Sequence, residues 1–169
     1  MKRTLVLASI ALVAVAAFSS EAAAGLRIGG GVHYLKTVGD LKDATEFDDQ
    51  SIGFLAGVKL PGPLLTFEGD IEVVPDYAGS DELLWQPQGY AFVGNFLYGG
   101  VGIGIGYLGE LGWQSDPFYA LRAGVNFVIG SLDLDAFLSY RFQRADDLSA
   151  LGSDDLNTLT LGAMIFFGD

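Results

Sequence analysis

FYALRAGVNFVIGSLDLDAFLSYRF, residues 118–142, alternates oily and polar side chains on both sides of a tight turn, Ile129-Gly130-Ser131. Before the turn, Tyr119, Leu121, Ala123, Val125 and Phe127 share one face, with Arg122, Gly124 and Asn126 on the other. After it, Leu132, Leu134, Ala136, Leu138, Tyr140 and Phe142 alternate with Asp133, Asp135, Phe137, Ser139 and Arg141. A period of two over this length means extended backbone with one apolar face. The segment is a β-hairpin.

The same period recurs along the chain. Strands are expected at 26–36, 51–60, 64–74, 83–93, 96–107 and 156–167. Pro61-Gly62-Pro63 is a stop, since proline cannot donate to a ladder. Pro87 interrupts the fourth strand and suggests a bulge there. In the fifth, Leu97, Val101, Ile103, Ile105 and Tyr107 alternate with Gly100, Gly102, Gly104 and Gly106. The links alternate long and short, which predicts an eight-stranded antiparallel up-and-down barrel with both ends at the short-turn rim.

Residues 1–24 have the pattern of a cleavable signal peptide: Lys2 and Arg3, an apolar run from Leu5 to Ala17, then Ala22-Ala23-Ala24. Residues 25–169 then form the barrel domain, and losing Lys2, Arg3 and Glu21 takes the net charge from −12 to −13. That charge argues against nucleic acid as a partner, because phosphate binding calls for a basic surface. With no cysteine, there is neither a disulfide nor a thiolate metal site.

The faces differ in a way that sets inside and outside. Arg27, Lys59, Glu68, Asp70, Glu72, Arg122, Asp133, Asp135 and Arg141 all fall on the polar face, which is otherwise rich in Gly, Ser and Thr. A soluble exterior carries about 25–35% charged residues, more than this face offers. Small residues instead suit the interior of an eight-strand barrel, which is just wide enough for side chains. The apolar face has Leu, Ile and Val at mid-strand and aromatics towards the ends. Tyr34, Trp85, Tyr107, Tyr119 and Tyr140 lie near the long links, with Phe127 and Phe167 near the short ones, as in two interfacial girdles. The apolar face therefore points to lipid. A soluble lipocalin-like carrier, with its oil inside, is the alternative arrangement of the same pattern.

YGGVGIGIGY (Tyr98 to Tyr107), the 118–142 hairpin and the closing LTLGAMIFF (Leu159 to Phe167) resemble the OmpA/OmpX-type outer-membrane β-barrel family. The resemblance spans the mature chain and rests on a diffuse pattern. It implies an integral outer-membrane barrel of a Gram-negative-type envelope, monomeric and without an appended periplasmic domain. Members usually end on an aromatic residue, whereas here Phe167 is followed by Gly168 and Asp169.

The five acids and four bases of the polar face are expected to pair in a network that fills the lumen, since lone buried charges are costly. A narrow, cation-preferring path is the alternative use of the same charges. Fourteen loop acids, at Asp40, Asp43, Glu46, Asp48, Asp49, Asp76, Asp81, Glu82, Glu110, Asp116, Asp146, Asp147, Asp154 and Asp155, face only Lys36, Lys42 and Arg144. They suggest a solvated crown, or divalent cations bridging to lipopolysaccharide, though no EF-hand spacing is present. No cofactor or dedicated metal site is expected. Nor is catalysis: the remaining alternative, a lipid-modifying barrel enzyme, would need His with Ser and an acid at the lipid-facing rim, and His33, the single histidine, is placed in the lumen away from the loops.

Overall fold

The computed structural model describes residues 25–38, 49–76, 82–109, 112–114, 116–143 and 157–168. The signal segment and most of the acidic loop positions lie outside these. Ten strands are present among the described residues: β1 Arg27–Thr37, β2 Gln50–Leu60, β3 Leu65–Val74, β4 Leu84–Gly94, β5 Leu97–Gly104, β6 Tyr107–Leu108, β7 Gly112–Trp113, β8 Phe118–Ile129, β9 Leu132–Phe142 and β10 Thr158–Phe167. The eight long ones pair antiparallel in sequence, β1 with β2 through β9 with β10. β10 then pairs back onto β1, from Ile28↔Phe167 to Thr37↔Thr158. No long strand has a free edge, so the sheet is a closed barrel.

The turns follow from their residues. Gly94 sits at φ 98° and Gly130 at φ 61°, a region that side chains bearing a Cβ resist. Gly130-Ser131 is a two-residue hairpin loop closed by the Ile129↔Leu132 pair, with glycine in its first central position. The short links, at 61–64, 95–96 and 130–131, all lie at one rim, which the two chain ends of the barrel share.

Three expectations need correction. Pro87 makes no bulge. β4 keeps one register with β3 from Leu65↔Val93 to Val74↔Leu84, and its register with β5 (Gln88↔Gly104) continues unchanged into β6 (Trp85↔Tyr107). The carbonyl of Pro87 accepts from the Ile105 N–H at 3.2 Å, so its backbone faces the β5 side and only one ladder bond is lost. The predicted fifth strand accordingly pauses at 105–106. It resumes as β6, which turns back through β7 in a small hairpin with Trp113 exposed against Tyr107, ring centroids 5.2 Å apart. Lys36, the last residue of the expected first strand but counted with the loop bases, is a strand charge that faces outward at the long-link end of β1, with its ammonium 4.0 Å from Asp49. There a long aliphatic stem can reach the aqueous rim.

Burial alternates along the long strands, except over the glycines at 29–31 in β1 and 99–100 in β5 and over residues 124–129 of β8. Outside lies an apolar belt including Ile28, Val32, Ile52, Phe54, Ile71, Val101, Ile103, Leu121, Leu138 and Leu161. Inside, glycines make room for large neighbours: a Cβ at Gly102 would overlap the Tyr90 ring, at Gly104 the Phe118 ring, and at Gly162 the Phe137 ring. The glycines let aromatic side chains from adjoining strands occupy the narrow interior.

Candidate functional site

All nine strand charges predicted for the polar face lie inside the barrel. Eight are fully buried, and Arg27, at the short-turn end, retains 16% side-chain exposure. They form a ladder of ion pairs that, apart from Lys59–Glu68 on adjacent β2 and β3, joins strands that are not neighbours in the sheet. Nearest the short turns, Arg27 Nη1 lies 2.7 Å from Asp133 Oδ2, and Lys59 Nζ lies 2.9 Å from Asp135 and 3.4 Å from Asp133. Midway, Arg122 Nη1 donates to Glu68 Oε1 at 2.7 Å and stacks 3.6 Å from the Phe137 ring centroid. Further towards the long links, Arg141 holds Glu72 through both terminal nitrogens. β9 and β3 stand diametrically opposite in the eight-strand ring, so the Arg141–Glu72 pair crosses the full lumen.

Uncharged partners complete the ladder. Tyr98 donates to Asp135 at 2.6 Å, Asn126 to Asp133 at 2.5 Å, and Gln88 to Glu72 at 3.2 Å, while Gln86 accepts from Arg141 at 3.0 Å. His33 Nε2 stands 3.1 Å from Glu72 Oε1, with both side chains sealed from solvent. Of these, Tyr98 and Asn126 have the lumen-facing parity of Gly100 and Gly124, which is the signal that marks them. Beyond Arg141, Gln143 donates to Gln114 at 2.7 Å and extends the polar interior towards the long links.

One charge is poorly served. Asp70 is 3% exposed, neither of its carboxylate oxygens has a hydrogen-bond partner, and its nearest cation, Arg122, is 3.5 Å away and committed to Glu68. An isosteric amide there removes an ill-paired acid without stranding a base. Asp70→Asn is therefore expected to leave the urea unfolding midpoint unchanged or raised, with any loss below about 1 kcal/mol. The same change at Glu68 lowers it. Equal losses at both positions would show that Asp70 carries the pairing.

The aromatic positions named from the sequence lie on the outer face. Tyr34, Trp85, Tyr119, Phe127 and Phe167 are exposed, and Tyr107 and Tyr140 are half-buried against Trp113 and Phe142. Among the described residues, no cluster of three or more His, Asp or Glu is arranged to hold a metal ion.

A closed eight-stranded antiparallel barrel with an apolar exterior and an ionic interior has the fold of the OmpA/OmpX-type transmembrane barrels. Among solved structures, the chain is similar to Neisserial surface protein A (NspA), with a TM-score of 0.66 and 15% identity over 86% of this chain and 97% of that one. A de novo designed transmembrane β-barrel aligns at a TM-score of 0.49 and 14% identity, covering 85% of this chain and 95% of the design. Ail, the attachment invasion locus protein of Yersinia pestis, solved with the heparin analogue sucrose octasulfate, aligns at 0.41 and 20% identity, over 84% and 96% of the two chains. No family model and no curated protein matches the chain. The likeness is one of fold.

Proposed function

We propose that the protein is exported and sits as an integral, monomeric barrel in an outer membrane, where it has a structural and surface-interaction role. The apolar belt implies acyl chains around it, and the sorting of the strand charges supports that placement. On this reading the short turns face the periplasm and the long links face outward. Their acids, lying largely outside the described residues, meet the surroundings first. Divalent cations there would bridge to anionic lipopolysaccharide. The role is not catalytic: His33 is held against Glu72 in the closed interior, away from both rims.

The observation that carries the choice of plug over pore is the Arg141–Glu72 pair, which crosses the lumen above a second crossing made by Arg122, Glu68 and Phe137. A conducting path would have to break both, and a buried pair that loses one partner costs ~3–5 kcal/mol. Planar-bilayer recording tests this. The wild-type barrel is expected to give no steady conductance. Steady cation-selective conductance that disappears in Arg122→Ala would overturn the plug and favour a narrow channel.

A further inference from the structure

The interior is not filled evenly. At the short-turn end, below Lys59 and Asp135, it opens into a vestibule of about 580 Å³. That volume is within the range of small-molecule sites. Its floor carries Arg27, Lys59, Asp133 and Asp135, Phe92 is buried in its wall, and its lip is made by Phe96, Val128 and Ile129. Thr66 and Asn95 add a hydroxyl and an amide at the mouth.

The unused hydrogen-bonding capacity of the floor indicates what it accepts. Every carboxylate oxygen there is already engaged: Asp133 by Asn126, Arg27 and Lys59, and Asp135 by Tyr98 and Lys59. The ammonium of Lys59 is shared between both acids and stands 4.6 Å from the Phe166 ring centroid. Arg27 differs. Among the described residues, only its Nη1 is committed, to Asp133, and its buried Nε has no partner. A guanidinium with spare donors is suited to a carboxylate or phosphate, which it can grip with two parallel bonds. Phe96 and Val128 are exposed at the lip, so the surface next to that anion subsite is apolar.

We propose that the vestibule binds an anionic amphiphile, a phosphate or carboxylate joined to a short apolar chain, with the head on Arg27 and the chain against Phe92, Phe96 and Val128. This holds whatever the long links bind, and it leaves the plug above intact. A ligand entering from the short-turn rim stops at Lys59 and Asp135.

The test uses the full barrel in zwitterionic micelles, titrated with hexyl phosphate, inorganic phosphate and hexanol and followed by amide NMR. Hexyl phosphate is expected to give saturable shifts at Gly94, Asn95 and Asn126, and neither the bare anion nor the alcohol should match it. Arg27→Gln should weaken hexyl phosphate by about tenfold or more, the loss of a charged hydrogen-bonding partner, while Arg27→Lys keeps part of the affinity. If Arg27→Gln disturbs folding through Asp133, Phe96→Ala decides: it should erase the preference for hexyl phosphate over inorganic phosphate. Equal binding of inorganic phosphate would make this a plain anion site and overturn the proposal. So would shifts confined to the outer face, at Leu159 and Leu161, or binding indifferent to both variants.

Discussion

Replacing Glu72 by Gln is expected to destabilise the barrel by ~3–5 kcal/mol, the cost of leaving a buried cation without its partner. Glu72 is wholly buried and accepts from Arg141 and Gln88, with His33 Nε2 3.1 Å away. The amide keeps the shape and loses the charge, so Arg141 is left opposite a neutral group in a closed lumen. Removing both charges with apolar residues, as in Glu72→Leu with Arg141→Met, should recover much of the loss, because no charge is then stranded. Urea unfolding in lipid vesicles measures both, and the cycle completed by Glu72→Leu and Arg141→Met singly isolates the pair from its neighbours. A single-variant loss below about 1 kcal/mol would mean that water reaches Arg141, contrary to a sealed interior.

The second large effect is on the outside. Leu138, 50% exposed at mid-β9 between Ala123 and Leu161, stands in the apolar belt. Leu138→Arg is expected to cost ~2–4 kcal/mol when the barrel is folded in a bilayer. Leu159→Arg, beside Lys36 at the long-link end, should cost only about 0–1 kcal/mol, since the penalty falls away near the interface. The contrast with depth is the informative part. If both substitutions were free, this face would be bathed in water and the barrel would be soluble.

Most of the architecture was legible in the sequence because a barrel strand carries its face assignment in every second residue. Arg122 and Asp135 announce the interior, and Val101 and Leu138 the exterior, without knowledge of any partner. Which charges meet was not legible. Pairing across the lumen depends on register and on the ring order of strands, so Glu72 could not be assigned to Arg141 ahead of Arg122, nor Asp70 recognised as the acid left over. Pro87 misled for a similar reason. Its missing donor faces the β5 side, where one lost bond is absorbed by a pause at 105–106 instead of a bulge. Lys36 was ambiguous because strand ends, unlike strand centres, tolerate an outward charge. The vestibule was also unreadable, since it arises at the shared rim, where among the described residues Arg27 has one partner for its several donors.

The orientation of the two faces supports every functional statement above, and the absence of cysteine makes it directly measurable. Single nitroxides at Val101, Leu121, Leu138 and Leu161, one on each of four strands, can be read for collision with oxygen and with a water-soluble nickel chelate in reconstituted bilayers. High oxygen access with little nickel access at all four sites is the predicted result. Immobile labels screened from both quenchers, or labels open to nickel, would place these residues inside the barrel or in water and contradict it.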